Sequence, residues 1–362
     1  MNFLDVAPHW LCPPGEGVFT VHTGSEKRIN LQRQLYGDKN PRDAWLTSLK
    51  DLTAHSVGML GIPSDNGGGI QRGANWGPLY VRDFALQDGK LEALDLGDVR
   101  IIPHLLHDKY LNETTLKDCR QALYNQADSS WPVSPLSIAE AAASAFYRSY
   151  PTARLFGIGG DHSTSLPLVR AWAQAPARQG KKIALLHFDA HTDLLDRRLG
   201  IDFCFGTRTY HVREFFPHEN QLIQVGIRST GKDRGHWEKT LHLKQYWAKE
   251  AIEMGAKKMS DKIIAAYRTA KVDEVYISFD IDALDTKWAS ATGTPEEAGL
   301  DPVFCTLVIQ AVAQEFRVSG CDLMEVAPLV NHDFAPNMGQ RLTMETAAAM
   351  ARQLVLALGA HA

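Results

Sequence analysis

Residues 182–196 read KIALLHFDAHTDLLD, an apolar run that ends in a crowd of acids. The stretch IALLHF leads into Asp189, His191 and Asp193, placed at every second position. In an extended chain that alternation puts all three side chains on one side. A carboxylate is costly to bury without a partner, so a strand ending this way asks for a cation. Because the apolar run is continuous rather than alternating, both faces of the strand are buried, as in a parallel sheet covered by helices. In such sheets ligands bind beyond the carboxyl ends of the strands, where these residues fall.

The same rhythm extends in both directions. Short apolar runs recur at VGMLGIP, LEALDLG, RLFGIGG, LIQVGIRS, EVYISFDID and GCDLMEV. Helical patterns lie between them, among them SIAEAAASAFYRSY, LPLVRAWAQA, SDKIIAAYRTA and PVFCTLVIQAVAQEF, and TMETAAAMARQLVLALG closes the chain. Strands alternating with helices predict an α/β fold. No repeat or linker interrupts residues 55–362, which read as one catalytic domain. Residues 1–54 are rich in Pro, Gly and charge, lack a sustained period, and read as an N-terminal arm packed on the body or on a neighbouring subunit; Trp10, Phe19 and Tyr36 argue against a disordered tail.

Composition excludes several classes of function. The chain has 362 residues and a net charge of −4, with both signs interspersed. No basic face is left for nucleic acid. No run of about 18 apolar residues exists to span a membrane, and MNFLDVAPHWLCPP lacks the layout of a signal peptide, so a cytoplasmic protein is expected. Five scattered cysteines, never at C-x-x-C spacing, read as reduced thiols.

Two further strand ends carry the same chemistry. In VYISFDIDALD, alternation aligns Asp280 with Asp282. In FGIGGDHSTS a glycine turn delivers Asp161 and His162 where a helix should start. Alone, each motif has a bland reading: a capped helix, a polar strand end, a solvated edge. Together, Asp189, Asp193, Asp280 and Asp282 with His162 and His191 form a mixed oxygen and nitrogen donor set suited to Mn²⁺ or a similar first-row ion. Six donors exceed the needs of one ion. Two ions bridged by carboxylates bring a shared water toward deprotonation near neutral pH.

These motifs resemble the ureohydrolase family of arginases and agmatinases. The likeness rests on GGDHS (159–163), DAHTD (189–193), SFDIDALD (278–285), GGGIQRGANWGPLYVR (67–82) and DLMEVAP (322–328), and covers residues 55–358. It implies a three-layer α/β/α sandwich around a mostly parallel eight-stranded sheet. It also implies one Mn²⁺ on His162, Asp189, Asp193 and Asp280, and another on His191, Asp189, Asp280 and Asp282. Family members cleave a guanidino group to urea and an amine, and Glu325 matches the glutamate that pairs with the guanidinium. Leu195 stands where arginases carry an asparagine for the amino-acid head, and LIQVGIRS is closer to the agmatinase pattern. An agmatine-like substrate is therefore expected ahead of arginine, with guanidine or an alkylguanidine, and Ni²⁺, as more distant alternatives. Arg208, His236, Trp237, Trp288, Asn331 and His332 are weak candidates for the substrate's tail, each better explained by packing, surface or loop.

One departure stands out. Agmatinases read SHGT after the metal motif, their histidine serving as proton donor; here CFGT puts Phe205 in its place, beside Gly206 and Thr207 in the pocket wall. Losing a general acid costs ~10²-fold or more. Three accounts stay open: His211 substitutes, Asp282 and water relay the proton, or the chain is a weakly active metal-binding subunit beside an active paralogue. By resemblance the assembly is a homo-oligomer, trimeric or hexameric.

Overall fold

The computed structural model describes residues 1–18, 24–331 and 338–361. Nine strands form one sheet: β1 (Leu11–Cys12), β2 (Val57–Ile62), β3 (Leu94–Val99), β4 (Arg154–Gly159), β5 (Ile183–Phe188), β6 (Leu222–Ile227), β7 (Lys244–Trp247), β8 (Glu274–Asp280) and β9 (Arg317–Met324). Their order is β1-β3-β2-β4-β9-β8-β5-β6-β7. Every pairing is parallel except that of β1 with β3.

The sheet thus has one strand more than the eight expected. The addition is β1, two residues at the edge that pair Leu11 with Val99 and Cys12 with Asp98. A two-residue strand has no room for periodicity, which is why the sequence hides it. The β7 sequence KQYW hides for another reason: at the opposite edge it is only partly buried and needs no apolar run.

Helices cover both faces, and the alternation along β5 shows how. Ala184, Leu186 and Phe188 enter one core cluster with Val275, Ile277 and Phe279 of β8, beneath the helices Gly77–Gln87, Ala256–Ala270, Pro302–Glu315 and Met338–Gly359. Ile183 and Leu185 enter the other cluster with Tyr276, beneath Phe3–Trp10, Pro135–Ser149 and Ser165–Ala173. The side chains of Asp189 and Asp280 follow the phase of this second face. The Pro302 helix starts as its sequence dictates: Pro302 sits at the first position, and the Asp301 side chain accepts the N–H of Val303 at 2.8 Å.

The described part of residues 1–54 supplies three α-helices, Phe3–Trp10, Ser25–Tyr36 and Pro41–Ser48, and a 3-10 turn at Leu49–Asp51. Phe3, Val6, Trp10 and Trp45 are buried in the same cluster as Leu60 and Leu96 of the sheet. The described part of this segment is packed on the body. Phe19 and His332 lie outside the described residues.

Candidate metal centre

Five neighbouring strands, β2-β4-β9-β8-β5, end at one place. At the end of β4, Gly160 passes so close to β2 that a Cβ would lie 1.8 Å from the Ser64 carbonyl oxygen; only glycine fits. Asp161 then caps the turn His162–Thr164, its carboxylate accepting the N–H groups of Ser163 (2.9 Å) and Gly67 (3.0 Å). This lashes the glycine loop 67–69 to the turn and holds the His162 ring over the ends of β5 and β8. Asp189 follows β5 directly, and Asp193 reaches the same place through a left-handed backbone, φ 53°. That conformation is strained for a residue other than glycine.

The donors converge in two halves. His162 Nδ1 stands 3.1 Å from Asp189 Oδ2, 3.1 Å from Asp193 Oδ2 and 2.9 Å from Asp280 Oδ2. His191 Nδ1 stands 3.1 Å from Asp282 Oδ2 and 3.5 Å from Asp189 Oδ1. The Asp189 carboxylate therefore spans both halves, one oxygen in each. All these residues are buried except His191, which keeps partial access to solvent.

Their electrostatics are those of a site built around positive charge. Burial pushes the Asp280 carboxyl far up, and Asp282 and Asp189 push it further. Glu325 is likewise raised by burial, then by Asp280, Asp161 and Asp65. Burial opposes charge on His191, yet Asp282 and Asp189 outweigh it and raise the ring to about 12. Burial also works against ionised Asp189, but three facing imidazoles hold it well below the usual carboxylate range.

Orphaned atoms test whether cations fit. His162 Nδ1, His187 Nε2, Asp189 Oδ2 and Asp193 Oδ2 are buried with no aligned hydrogen-bond partner, although they stand about as close as hydrogen-bonded atoms do. Neighbouring ligands of an octahedral ion about 2.1 Å from each donor stand about 3.0 Å apart. At His162 Nδ1, Asp189 Oδ2 and Asp193 Oδ2 the spacing and the missing bonds both fit donors gathered round an ion. Two overlapping groups able to hold a metal share Asp189: His162, His187, Asp189 and Asp193 in one, Asp189, His191 and Asp282 in the other.

Glu325 follows β9 at φ 62°, a left-handed position like that of Asp193. Its Oε1 accepts the N–H of His162 at 2.8 Å, while Oε2 faces Gly293. Phe205 is half-buried: its N–H donates to the Gly67 carbonyl at 3.0 Å, and its ring edge faces Gly69. The Arg198 guanidinium stacks over that ring, 4.8 Å from its centre. Thr207 is buried, its hydroxyl engaged by the backbone of Asp202 (2.5 Å) and Cys204 (3.0 Å). His211 places Nε2 2.9 Å from the Asp196 carbonyl and its ring edge-on to Phe203, and burial lowers its pKa. Leu195 and Asn331 are exposed. Trp237 is buried and donates to Thr230, Arg208 is fully buried against Ser165 and Thr209, and Trp288 packs on the core. His236 is exposed.

Three residues at the centre escaped the sequence reading. His187 is in phase with Asp189 but looks like part of the buried run. Glu296 sets Oε1 3.4 Å from His191 Nε2, and Thr294 donates to Asp282 Oδ2 at 3.2 Å. Both come from the irregular segment after β8, where no periodicity marks them.

A profile of the Arginase family matches residues 55–357. The chain belongs to the arginase family. Human mitochondrial guanidino acid hydrolase is 30% identical over 281 residues, spanning 75% of this chain and 71% of its own length. Guanidinobutyrase of Pseudomonas aeruginosa is 27% identical over 327 residues, spanning 83% and 90%. Among solved structures, proclavaminate amidino hydrolase from Streptomyces clavuligerus shares the fold, with a TM-score of 0.64 at 22% identity over 85% of this chain and 93% of its own. Arginase-family members are metal-dependent amidinohydrolases that cleave C–N bonds of guanidino compounds, and this chain is one of them. Among its described residues no helix is long and apolar enough to cross a membrane.

Proposed function

We propose that the chain hydrolyses an agmatine-like guanidino compound to urea and an amine at a pair of divalent ions. Mn²⁺ is the first choice for a donor set of carboxylates and imidazoles, with Ni²⁺ the alternative. The observation that carries the reading is the Asp189 carboxylate, shared between two clusters that contain orphaned donors. His162, Asp189, Asp193 and Asp280 would hold one ion; His191, Asp189, Asp280 and Asp282 would hold the other. When bound, such a pair would supply an acidified water as nucleophile and positive charge to stabilise the negative charge that develops as it attacks the guanidino carbon.

The chain's own residues provide the rest. Glu325 accepts the guanidinium through Oε2, since Oε1 is occupied by the His162 N–H. Phe205 forms the wall, and the loop bonds of Thr207 hold that wall in place. For the departing amine, Asp282 is a better proton carrier than His211, whose Nε2 faces the Asp196 carbonyl. Asp282 lies within the cluster, its Oδ2 facing His191 and the Thr294 hydroxyl (3.2 Å) and its Oδ1 accepting the Ala190 N–H at 3.2 Å. Residues 55–362 form the catalytic domain in this reading, which we place in the cytoplasm as a trimeric or hexameric homo-oligomer.

A second reading of the tail has its own support. Arg198 stacks on Phe205, and among the described residues no carboxylate pairs with it. A guanidinium held at the pocket wall favours a substrate ending in carboxylate, such as 4-guanidinobutyrate, over the cationic amine of agmatine. The human and Pseudomonas relatives are named for guanidino acids. Urea release by the Mn²⁺-loaded protein, measured with agmatine, arginine, 4-guanidinobutyrate and guanidine, tests both readings. No urea from any of them at full metal occupancy would overturn the hydrolase reading; the preferred tail decides between agmatine and the guanidino acid.

A further inference from the structure

His187 stands one alternation before Asp189 on β5 and is fully buried. Its Nε2 lies 2.9 Å from Asp189 Oδ2, the spacing shown by the other donors of that cluster, so distance alone would count it as a ligand. The hydrogen bonds behind it decide otherwise. Resting on the two-metal reading above, we propose that His187 is a positioning residue and not a ligand. It is locked with its proton on Nε2, which it donates to Asp189 to orient the shared carboxylate.

The lock is a chain of donors running in one direction. It starts at the sheet edge with Trp247 on β7, whose indole N–H donates to Gln245 Oε1 at 3.2 Å. An indole nitrogen can only donate, so the Gln245 amide must present its oxygen there and its nitrogen to the other side. Gln245 Nε2 donates to Gln224 Oε1 on β6 at 2.8 Å. Gln224 Nε2 then has two hydrogens and two acceptors: the Thr192 carbonyl at 2.8 Å and His187 Nδ1 at 2.9 Å. The Thr192 carbonyl can only accept, which fixes the orientation of Gln224 a second time. His187 Nδ1 therefore carries a lone pair, and the single proton of the neutral ring sits on Nε2. The Thr209 hydroxyl, 3.4 Å from the same Nδ1, is also able to donate.

A protonated Nε2 has no lone pair in the ring plane for a cation. It has an N–H, and Asp189 Oδ2 is the acceptor within reach. The two atoms stand 2.9 Å apart without hydrogen-bond alignment, and in this proposal the carboxylate turns about its Cβ–Cγ bond to accept that N–H. Asp189 Oδ1 already accepts the backbone N–H of His191 at 2.6 Å. With both oxygens restrained, the carboxylate cannot rotate away from either half of the centre. Partners of ligating groups that act this way typically change metal affinity or activity 10–100-fold when removed.

The test uses the full-length protein titrated with Mn²⁺, reading ions bound per chain, apparent affinity and the number of imidazoles around manganese by X-ray absorption. Thermal melts confirm that each variant folds. His187→Leu is expected to bind two ions with affinity weakened ~10–100-fold. His187→Gln keeps an N–H near the Nε2 position and is expected to stay within about 3-fold of wild type, with the imidazole count unchanged. Gln224→Leu releases the tautomer and should weaken binding as well. Loss of an ion or of an imidazole in His187→Gln would make His187 a ligand and overturn the proposal. So would equal weakening in Leu and Gln variants, which would mean packing alone, or unchanged affinity in His187→Leu. A wild-type protein that takes up no pair of ions would instead overturn the two-metal reading itself.

Discussion

Glu325 Oε1 accepts the backbone N–H of His162 at 2.8 Å. The acid assigned to the substrate cation is thereby tied to the backbone of a residue at the metal centre, while the Glu325 backbone, left-handed at φ 62°, donates its own N–H to the Gly160 carbonyl at 2.8 Å. Glu325→Gln keeps an oxygen for the His162 N–H and removes the charge. Metal content should stay at the wild-type value while kcat/KM for the best guanidino substrate falls ~10²-fold, because a charge-assisted contact becomes a neutral one. Parallel metal analysis and urea assays check this, and a loss of bound metal would show that the carboxylate itself supports the centre.

The division between what the sequence revealed and what it hid follows the range of the interactions. Asp189, His191 and Asp193 are legible because strand alternation is local: neighbours along the chain decide which side they face. Asp280 and Asp282 are legible for the same reason. His187 has the same phase, yet its role depends on Gln224 and Gln245 from two neighbouring strands, which no local pattern connects to it. Thr207 matches the family's place, but its hydroxyl turns into the loop to bond Cys204 and Asp202. At the edges of the sheet, β1 and β7 were hidden because short or half-exposed strands need no apolar run.

Arg82 belongs to the glycine-rich motif that helped to mark the family resemblance, but its contacts are structural. The buried guanidinium donates to both oxygens of Asp95 (2.8 and 2.9 Å) and to Asp98 (2.7 Å), joining the helix Gly77–Gln87 to β3. Asp98 in turn accepts the N–H of Gly15 at 2.8 Å. Removing one partner leaves buried charge uncompensated, at about 3–5 kcal/mol. Arg82→Met should show that loss in urea denaturation, and a triple variant with Asp95→Asn and Asp98→Asn should recover part of it.

His107 makes stability depend on pH outside the metal centre. Its ring packs against Phe203 at 4.9 Å and its Nδ1 accepts the Lys109 N–H at 3.0 Å, so the native structure wants it neutral. Burial lowers its pKa to about 4. Above the unfolded pKa of 6.5 it is neutral in both states and has no effect. As pH falls from 6.5 toward 4 the unfolded chain takes up a proton that the native state refuses, so stability declines, and the decline levels off below 4. Allowing for partial exposure, the loss is on the order of 1–2 kcal/mol. The difference in melting temperature between pH 7 and pH 5 should be smaller in His107→Gln than in wild type.

Phe205 is the last test of how the amine receives its proton. A histidine at this position would face Gly69, with its backbone N–H still on the Gly67 carbonyl, because those contacts belong to the loop and not to the ring. If proton delivery limits turnover, Phe205→His should raise kcat up to ~10²-fold, with the gain confined to the pH range in which the new imidazole is protonated. The Arg198 stack would be weakened in the same variant, so KM for 4-guanidinobutyrate should rise while that for agmatine does not. His211→Ala should leave the wild-type rate unchanged, since His211 faces the Asp196 carbonyl and Phe203. A fall of tenfold or more in that variant would return the proton to His211, and a Phe205→His rate equal to wild type would mean that another step limits turnover.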